Sequence, residues 1–421
     1  MTCPYPDCKG RALPAAATHC PECRRFVKRC AARNCGEWNR ALAVFCRGCG
    51  ERLAEPSGQW TGLQGGASRA GLNPYALSGP WESLQPGEKR ALRLGSRCLS
   101  LMFYEDFLFA ISEEGIVQAL DLGSSRSAIA WNAVDRVAAY PAIAEGILYI
   151  AGAEGVHAFR LAGLAGRSRR PVQLWEKRVE GKPMHGLLPH GGRLFLTTER
   201  GGEERRVLAM HGVAGGSPTG PELVHRGSRF GGLTAGPTGL FFLSEGNGGR
   251  LAVHRLAGNN GRVTHESHGL PGDLAGLRDL VSPAAVGHKV YAVLGERDEL
   301  CLLDAQELTF DRRIYHDAVS FAVAGLRDGV VAGSNSLYFV GYGRSEDVQH
   351  PISTAPVVLR GRMAAVGFAD GRVQLHNLQN PPAFHELRVG RTRVTSLASA
   401  GRWIAAGDEE GTVVVARLGA A

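Results

Sequence analysis

From about Cys98 onward one pattern recurs with a period of about 40 residues, and a period of that length restricts a chain to few folds. Each unit has an apolar strand, a short break, a second apolar strand, a turn and an alternating strand. The first unit runs through 99–103, 107–111 and 115–121, and the second repeats it at 146–152 and 155–161. Later third strands begin at Val207, Leu251, Leu300, Leu337, Val373 and Val413, which makes eight units. Gly115 and Gly155 are 40 residues apart, as are Gly371 and Gly411.

Four turns place an acid before a glycine: Glu114-Gly115, Glu154-Gly155, Asp370-Gly371 and Glu410-Gly411. These read as hairpin turns in which Gly takes a positive φ, and the acids read as turn residues, not as paired catalytic carboxylates. A fourth, more polar strand follows most units, at 128–131, 172–176 and 383–387. Four strands per ~40 residues is a propeller blade. The predicted fold class is therefore all-β, an eight-bladed β-propeller, or a seven-bladed one if the weak unit around Leu337 is miscounted. The chain ends just after the third strand of its last unit. Ring closure then needs an outer strand from elsewhere, and Arg90–Leu94 is placed to supply it, which removes an exposed sheet edge. The abundance of glycine, 57 of 421 residues, suits such tight turns.

The repeats resemble those of quinoprotein-type propellers. The resemblance rests on Gly115-Ile-Val-Gln-Ala-Leu-Asp-Leu followed by a strand ending at Trp131, and on Leu174-Trp175-Glu176 followed by Gly192-Arg-Leu-Phe-Leu. WD40 repeats are neighbours, but no Trp-Asp dipeptide occurs. Quinone-dependent dehydrogenases of this kind hold PQQ against a vicinal Cys-Cys disulfide, a stacking Trp and a Ca²⁺ site. This chain has no Cys-Cys pair, so no PQQ is expected. Cys98 and Cys301 read as core residues. His254 and His376 alternate within strands and read as ordinary sheet residues. No phosphate-binding Gly loop, nucleophile elbow or H-E-x-x-H motif is found. Fold alone carries no activity, and the chain is expected to be no enzyme.

Eight of the ten cysteines lie between Cys3 and Cys49. They form four short knuckles: Cys3 with Cys8, Cys20 with Cys23, Cys30 with Cys35, and Cys46 with Cys49. Two such turns bring four thiolates onto one tetrahedral Zn²⁺, leaving no open position, so two structural zinc ions are expected. Residues 1–52 resemble a double zinc ribbon, most closely at Ala43-Val44-Phe45-Cys46-Arg47-Gly48-Cys49-Gly50. That resemblance implies sequential pairing of the knuckles; spacing alone leaves nested pairing open. The first twenty residues carry three cysteines and no apolar stretch of signal-peptide length, so the expected location is cytoplasmic, without membrane insertion.

Residues 1–52 hold ten Lys/Arg against four Asp/Glu, which accounts for most of the formal net charge of +8. Arg24, Arg25, Lys28, Arg29 and Arg33 are candidates for a basic patch that meets nucleic-acid phosphates; the plainer role is to neutralise the nearby thiolates. Residues 53–88 read as a Gly/Pro-rich linker and 89–421 as the propeller. The linker nevertheless carries aromatics, including Trp60, Tyr75 and Trp81. They either pin it to the side of the propeller or form a docking motif, so Trp60 and Trp81 join the candidate partner-binding residues. On the propeller, Tyr104 and Arg167–Arg170 are candidate loop anchors. The expected function is a cytoplasmic protein-interaction scaffold, with a nucleic-acid-binding adaptor as the alternative.

Overall fold

The computed structural model describes residues 81–123, 128–165, 170–190, 192–201, 204–211, 351–359, 363–377 and 384–419, shorter stretches between 223 and 347, and Leu72–Asn73. Of the first fifty residues it describes 3, 4, 8, 13, 27–30, 32, 35–40, 46, 48 and 49.

The repeat becomes a series of four-stranded antiparallel blades; blades two and three are joined into one eight-stranded sheet by a parallel pairing of Gly186 with Tyr140, and blades four and seven each carry a fifth short strand. Blade one comprises Cys98–Tyr104, Phe107–Ser112, Ile116–Asp121 and Ile129–Asn132. Blade two comprises Val137–Ala144, Ile147–Gly152, Gly155–Arg160 and Val172–Arg178. Blade three follows with Lys182–His190, Arg193–Arg200, Glu204–His211 and Leu223–Arg226. Blade four has Thr234–Gly236, Gly239–Glu245, Leu251–Leu256 and Val263–Glu266, with Arg229–Phe230 beside the first of these on the same edge. Blade five has Ala284–Val286, Lys289–Leu294, Glu299–Asp304 and Phe310–Tyr315. Blade six has Val319–Ala324, Val330–Gly333, Ser336–Phe339 and Arg344–Asp347. Blade seven has Val357–Leu359, Met363–Gly367, Arg372–Asn377 and Phe384–Arg388.

The thin unit around Leu337 is thus a full sheet, with Leu337 fully buried, and the count is eight blades. Blade eight supplies only three strands from the C-terminus: Val394–Ala400, Trp403–Asp408 and Thr412–Leu418. Its fourth is Pro86–Arg93, paired antiparallel with Thr412–Leu418 in the register Val413↔Leu92 and Val415↔Arg90. This strand begins four residues before Arg90, inside the stretch that reads as linker. Its burial explains why. Most of Pro86–Arg93 faces solvent, as a rim strand does, so its sequence is polar.

Burial grades from axis to rim. Second strands such as Ile147–Gly152 are buried on both faces because neighbouring blades stack on each. Outer strands such as Val172–Arg178 are half-buried or exposed throughout. The ring closes where blade eight meets blade one. Leu84, Leu92, Leu94, Leu101, Val413, Val415 and Leu418 share one apolar cluster there. Across the same seam the Thr395 hydroxyl donates to the Cys98 carbonyl at 2.6 Å.

The acid-glycine turns sit where a rim strand ends over the turn between second and third strands. Gly411 has φ +76°, and its carbonyl accepts the Leu94 N–H at 2.9 Å. Gly115 and Gly371 also take positive φ and accept from Ala133 and Val389, each at 3.0 Å. Gly155 departs from the expected conformation. It is not left-handed; it is glycine because a Cβ there would lie 2.3 Å from the Lys177 carbonyl oxygen.

Candidate metal centre

Two short strands, Val27–Arg29 and Trp38–Arg40, pair antiparallel with Lys28 opposite Asn39. Cys30 leaves the first strand, and its N–H donates to the Glu37 carbonyl at 2.9 Å. The knuckle turn from Cys30 closes when the Cys35 N–H donates to the Ala32 carbonyl at 3.2 Å. The hairpin thereby aims Cys30 and Cys35 at the later knuckle, Cys46 and Cys49.

The four sulfurs lie within 4.8 Å of one another. Cys30 Sγ is 3.7 Å from Cys49 Sγ, and Cys35 Sγ is 3.5 Å from Cys46 Sγ. Four thiolates at ~2.3 Å from a tetrahedral Zn²⁺ would be separated by ~3.8 Å, so the donor set fits a single metal ion. Donors point at the sulfurs as well. The Gly48 N–H reaches Cys46 Sγ at 3.3 Å, and the buried Asn39 side-chain amide reaches the same sulfur at 3.4 Å. Burial alone raises the Cys46 thiol; the N–H groups of Cys49 and Gly48 and the Asn39 amide outweigh it and bring the thiol down to about 6. A thiol prepared in this way binds a cation as thiolate. Asn39 carries no signal in the sequence, since nothing but the fold places it under Cys46.

Knuckles three and four therefore converge. Of the other two, Cys3 is buried with Leu13, Val27 and Trp38, and Cys8 packs at the edge of that cluster. Cys20 and Cys23 lie outside the described residues, as do Arg24, Arg25, Arg33, Trp60 and Tyr75. Lys28 sits on the first strand of the hairpin. Arg29 is exposed, yet its Nε donates to the Gly36 carbonyl at 3.0 Å, folding the side chain back over its own hairpin.

Trp81 opens a short 3-10 turn, Trp81–Leu84, at the rim of the ring. Its ring stacks on His385 of blade seven at 4.3 Å, and its carbonyl accepts a hydrogen bond from His385 Nε2 at 3.1 Å. The linker is pinned here to the propeller's side. Tyr104 is a correction: it ends a strand and is buried in the core between blades one and two, so it anchors no loop contact. Arg167–Arg169 lie outside the described residues, and Arg170 is exposed.

The remaining reactive residues are embedded in blades. Cys98 and Cys301 are fully buried in separate cores, and burial, helped by the Asp408 carboxylate, pushes the Cys98 thiol far above its ordinary range. His254 is buried in blade four, 2.7 Å from the Ser244 hydroxyl and stacked on Phe242. His376 is buried in blade seven against Phe384. Among the described residues no helix is long and apolar enough to cross a membrane.

No protein-family profile matches the chain, and no curated protein is significantly similar to it. Similarity to solved structures is extensive but distant. BamB from Moraxella catarrhalis aligns with a TM-score of 0.57 at 16% identity, over 78% of this chain and 98% of that one. The computationally designed Ika8 protein aligns at 0.59 and 14%, over 77% and 97%. Quinohemoprotein alcohol dehydrogenase from Comamonas testosteroni aligns at 0.66 and 10%, over 86% and 81%. At these identities the likeness establishes the propeller fold and nothing about activity.

Proposed function

We propose that this chain is a non-enzymatic protein-interaction scaffold of the cytoplasm, with a zinc-bound head and partner binding on the propeller's faces. The carrying observation is the closed eight-bladed ring, whose rim strand comes from the N-terminal side of the chain. Such a ring is rigid and presents eight sets of loops on each of two faces. Cys98, Cys301, His254 and His376, which the sequence reads as core and sheet residues, are all buried in the blades. Zinc suits the head because four thiolates complete its tetrahedral shell and leave no position for a substrate, which is a structural role. A thiolate-rich head also fits a reducing compartment. The proposed stoichiometry is two zinc ions per chain, one on Cys30, Cys35, Cys46 and Cys49 and one on Cys3, Cys8, Cys20 and Cys23.

The test is affinity purification of the full chain from native extract, with and without nuclease, read by mass spectrometry. A stoichiometric protein partner that survives nuclease is the expected result. Loss of all partners on nuclease treatment would transfer the function to nucleic acid and the basic head. Elemental analysis of the same sample should give about two zinc ions per chain.

A further inference from the structure

Among the described residues the chain before blade one pairs with the ring as a strand at two places, besides the Trp81 stack on His385, and the two pairings differ in kind. At the rim, Pro86–Arg93 is an eight-residue antiparallel strand. The other contact, Leu72–Asn73, pairs parallel with Val357–Leu359, with Leu72 opposite Val358 and Asn73 opposite Leu359. The strand order of blade seven begins with Leu72–Asn73 and ends with the rim strand Phe384–Arg388. Innermost strands of successive blades touch one another, Val357–Leu359 with Val394–Ala400 and the latter with Cys98–Tyr104. Leu72–Asn73 therefore lies on the axial side of blade seven, at the central channel.

Most of a propeller's inner edges line the channel without a further strand. The inner strand of blade seven is three residues long, as in blades four and five and against seven to nine in blades one to three, and all three of its residues are buried. A sheet edge with free N–H and C=O groups is a template for another extended chain. Among the described residues parallel pairing at an inner strand has one more instance, between Gly186 of blade three and Tyr140 of blade two. The contact made by Leu72–Asn73 is small. Two residues of parallel ladder are among the weakest sheet pairings. The next residue, Pro74, has no N–H with which to lengthen it.

We propose that the inner edge of blade seven is an acceptor for an extended peptide strand, that Leu72–Asn73 fills it in cis, and that a linear peptide segment of a protein partner replaces it. This rests on the scaffold function proposed above and names its surface. The partner chemistry is that of strand addition: backbone hydrogen bonds supply affinity, and a side chain on alternate positions supplies selectivity. The chain's own segment sets the register, with Leu72 opposite Val358 and Asn73 opposite Leu359. A partner strand without a proline at the position of Pro74 can form a longer ladder than the resident one. The resident strand competes as an intramolecular ligand, so partner affinity is reduced by the fraction of time the edge is filled.

The test uses the full chain and a labelled synthetic peptide with the sequence of residues 68–78. Binding is measured by fluorescence anisotropy, against a scrambled peptide as control. In one variant, Leu72→Pro with Asn73→Pro removes both N–H groups of the resident strand. In a second, Leu72→Cys with Val358→Cys locks it by a disulfide across a directly opposed pair, a spacing that disulfides tolerate. The peptide should bind the proline variant at least about tenfold tighter than the wild type, and the locked variant only after reduction. Amide exchange should quicken in the proline variant, and slow again with peptide, at whichever of Val358 and Leu359 turns its N–H toward Leu72–Asn73, and stay unchanged at the other, which turns toward Met363–Gly367. Equal binding to all three proteins overturns the proposal. So does absence of binding to any of them, with exchange at Val358 and Leu359 unchanged by the prolines. If a nuclease-resistant partner is captured while these tests fail, the scaffold function stands and this surface falls. If the peptide behaves as expected but no partner is captured, the edge stands and the scaffold function falls.

Discussion

The cysteine cluster and the ring's closing seam are both completed by something that the local sequence lacks. In the head, the strands Val27–Arg29 and Trp38–Arg40 are three residues each, and the apolar cluster beneath them is Cys3, Leu13, Val27 and Trp38. Among the described residues so small an apolar cluster stabilises a fold only marginally, and the proposed metal ion on Cys30, Cys35, Cys46 and Cys49 would supply the remainder. At the seam, Leu92 and Leu94 enter a large apolar cluster built mostly from blades one, seven and eight. Each fully buried leucine there is worth about 1.5–3 kcal/mol. On the proposed reading one part of the molecule depends on an ion, while the other is closed by a strand more than 300 residues distant in sequence. The first can be reversed by chemistry in solution. The second cannot, short of unfolding.

The largest effect expected is from removing the seam. A chain beginning at Ser96 keeps the four principal strands of each of blades one to seven but loses Pro86–Arg93, the buried Leu84 and Leu94, and the Leu72–Asn73 pairing. It should not give a single cooperative thermal transition, whereas a chain lacking only residues 1–52 should melt as the full protein does. Calorimetry of the two truncations decides the matter; cooperative melting of the shorter chain would mean that closure is dispensable. A milder version is Leu94→Ala, which should cost about 2–5 kcal/mol by leaving a cavity in the cluster.

Next comes metal removal. Chelation, or Cys46→Ser, should abolish amide protection at Cys30 and across the pairs Lys28↔Asn39 and Arg29↔Trp38, while exchange in blade eight stays unchanged. Protection that persists in metal-free protein would show that the small apolar cluster suffices. Loss of protection in both regions would show that head and ring unfold together, erasing the contrast between them.

How far the sequence disclosed this contrast depends on how repetitive or local each feature is. The blade count was legible because a strand buried on both faces reads as an apolar run, and eight such runs recur. The start of the closing strand was not, because rim strands are wet and Pro86-Gly87-Glu88-Lys89 looks like linker. Acid-glycine couplets marked turns correctly but could not separate positive φ, as at Gly411, from close backbone approach, as at Gly155. Tyr104 stands beside a turn and so resembled a loop residue, yet the preceding strand carries it into the core. The knuckle spacing exposed the cysteines of the cluster, but Asn39 beneath Cys46 is visible only in three dimensions. The axial pairing of Leu72–Asn73 is two residues long, too short for any periodic signal.

Within the seam, two glycines separate conformation from crowding. Both Gly411 and Gly401 have positive φ, +76° and +55°. A Cβ on Gly411 would lie 2.2 Å from the Ser96 carbonyl oxygen, whereas one on Gly401 would meet nothing within 4 Å. Gly401→Ala should cost about 1–2 kcal/mol, the left-handed penalty alone. Gly411→Ala should cost clearly more, because the rim strand's exit must move as well. Equal losses in urea titrations of the two variants would show that the seam backbone is plastic at Ser96.

The smallest effect expected is at Trp81, where the linker's rim contact is held by one stacked pair and one hydrogen bond. Trp81→Ala should cost about 1 kcal/mol, in line with an aromatic pair that is half-exposed. Trp81→Phe should restore much of it, because the hydrogen bond to His385 uses the backbone carbonyl and survives the substitution. The same variants separate the two roles open to this residue. A pin loses stability and leaves partner capture unchanged; a partner contact does the reverse, since its loss weakens binding and spares the melting curve. The stack on His385 favours the pin. It also bears on the axial strand: with Trp81 fixed at the rim, the segment from Asn73 to Trp81 is anchored at both ends. Loosening the rim end by Trp81→Ala should then lower the effective concentration of Leu72–Asn73 at blade seven and raise the affinity of the added peptide slightly. An affinity lower than wild type would contradict that coupling.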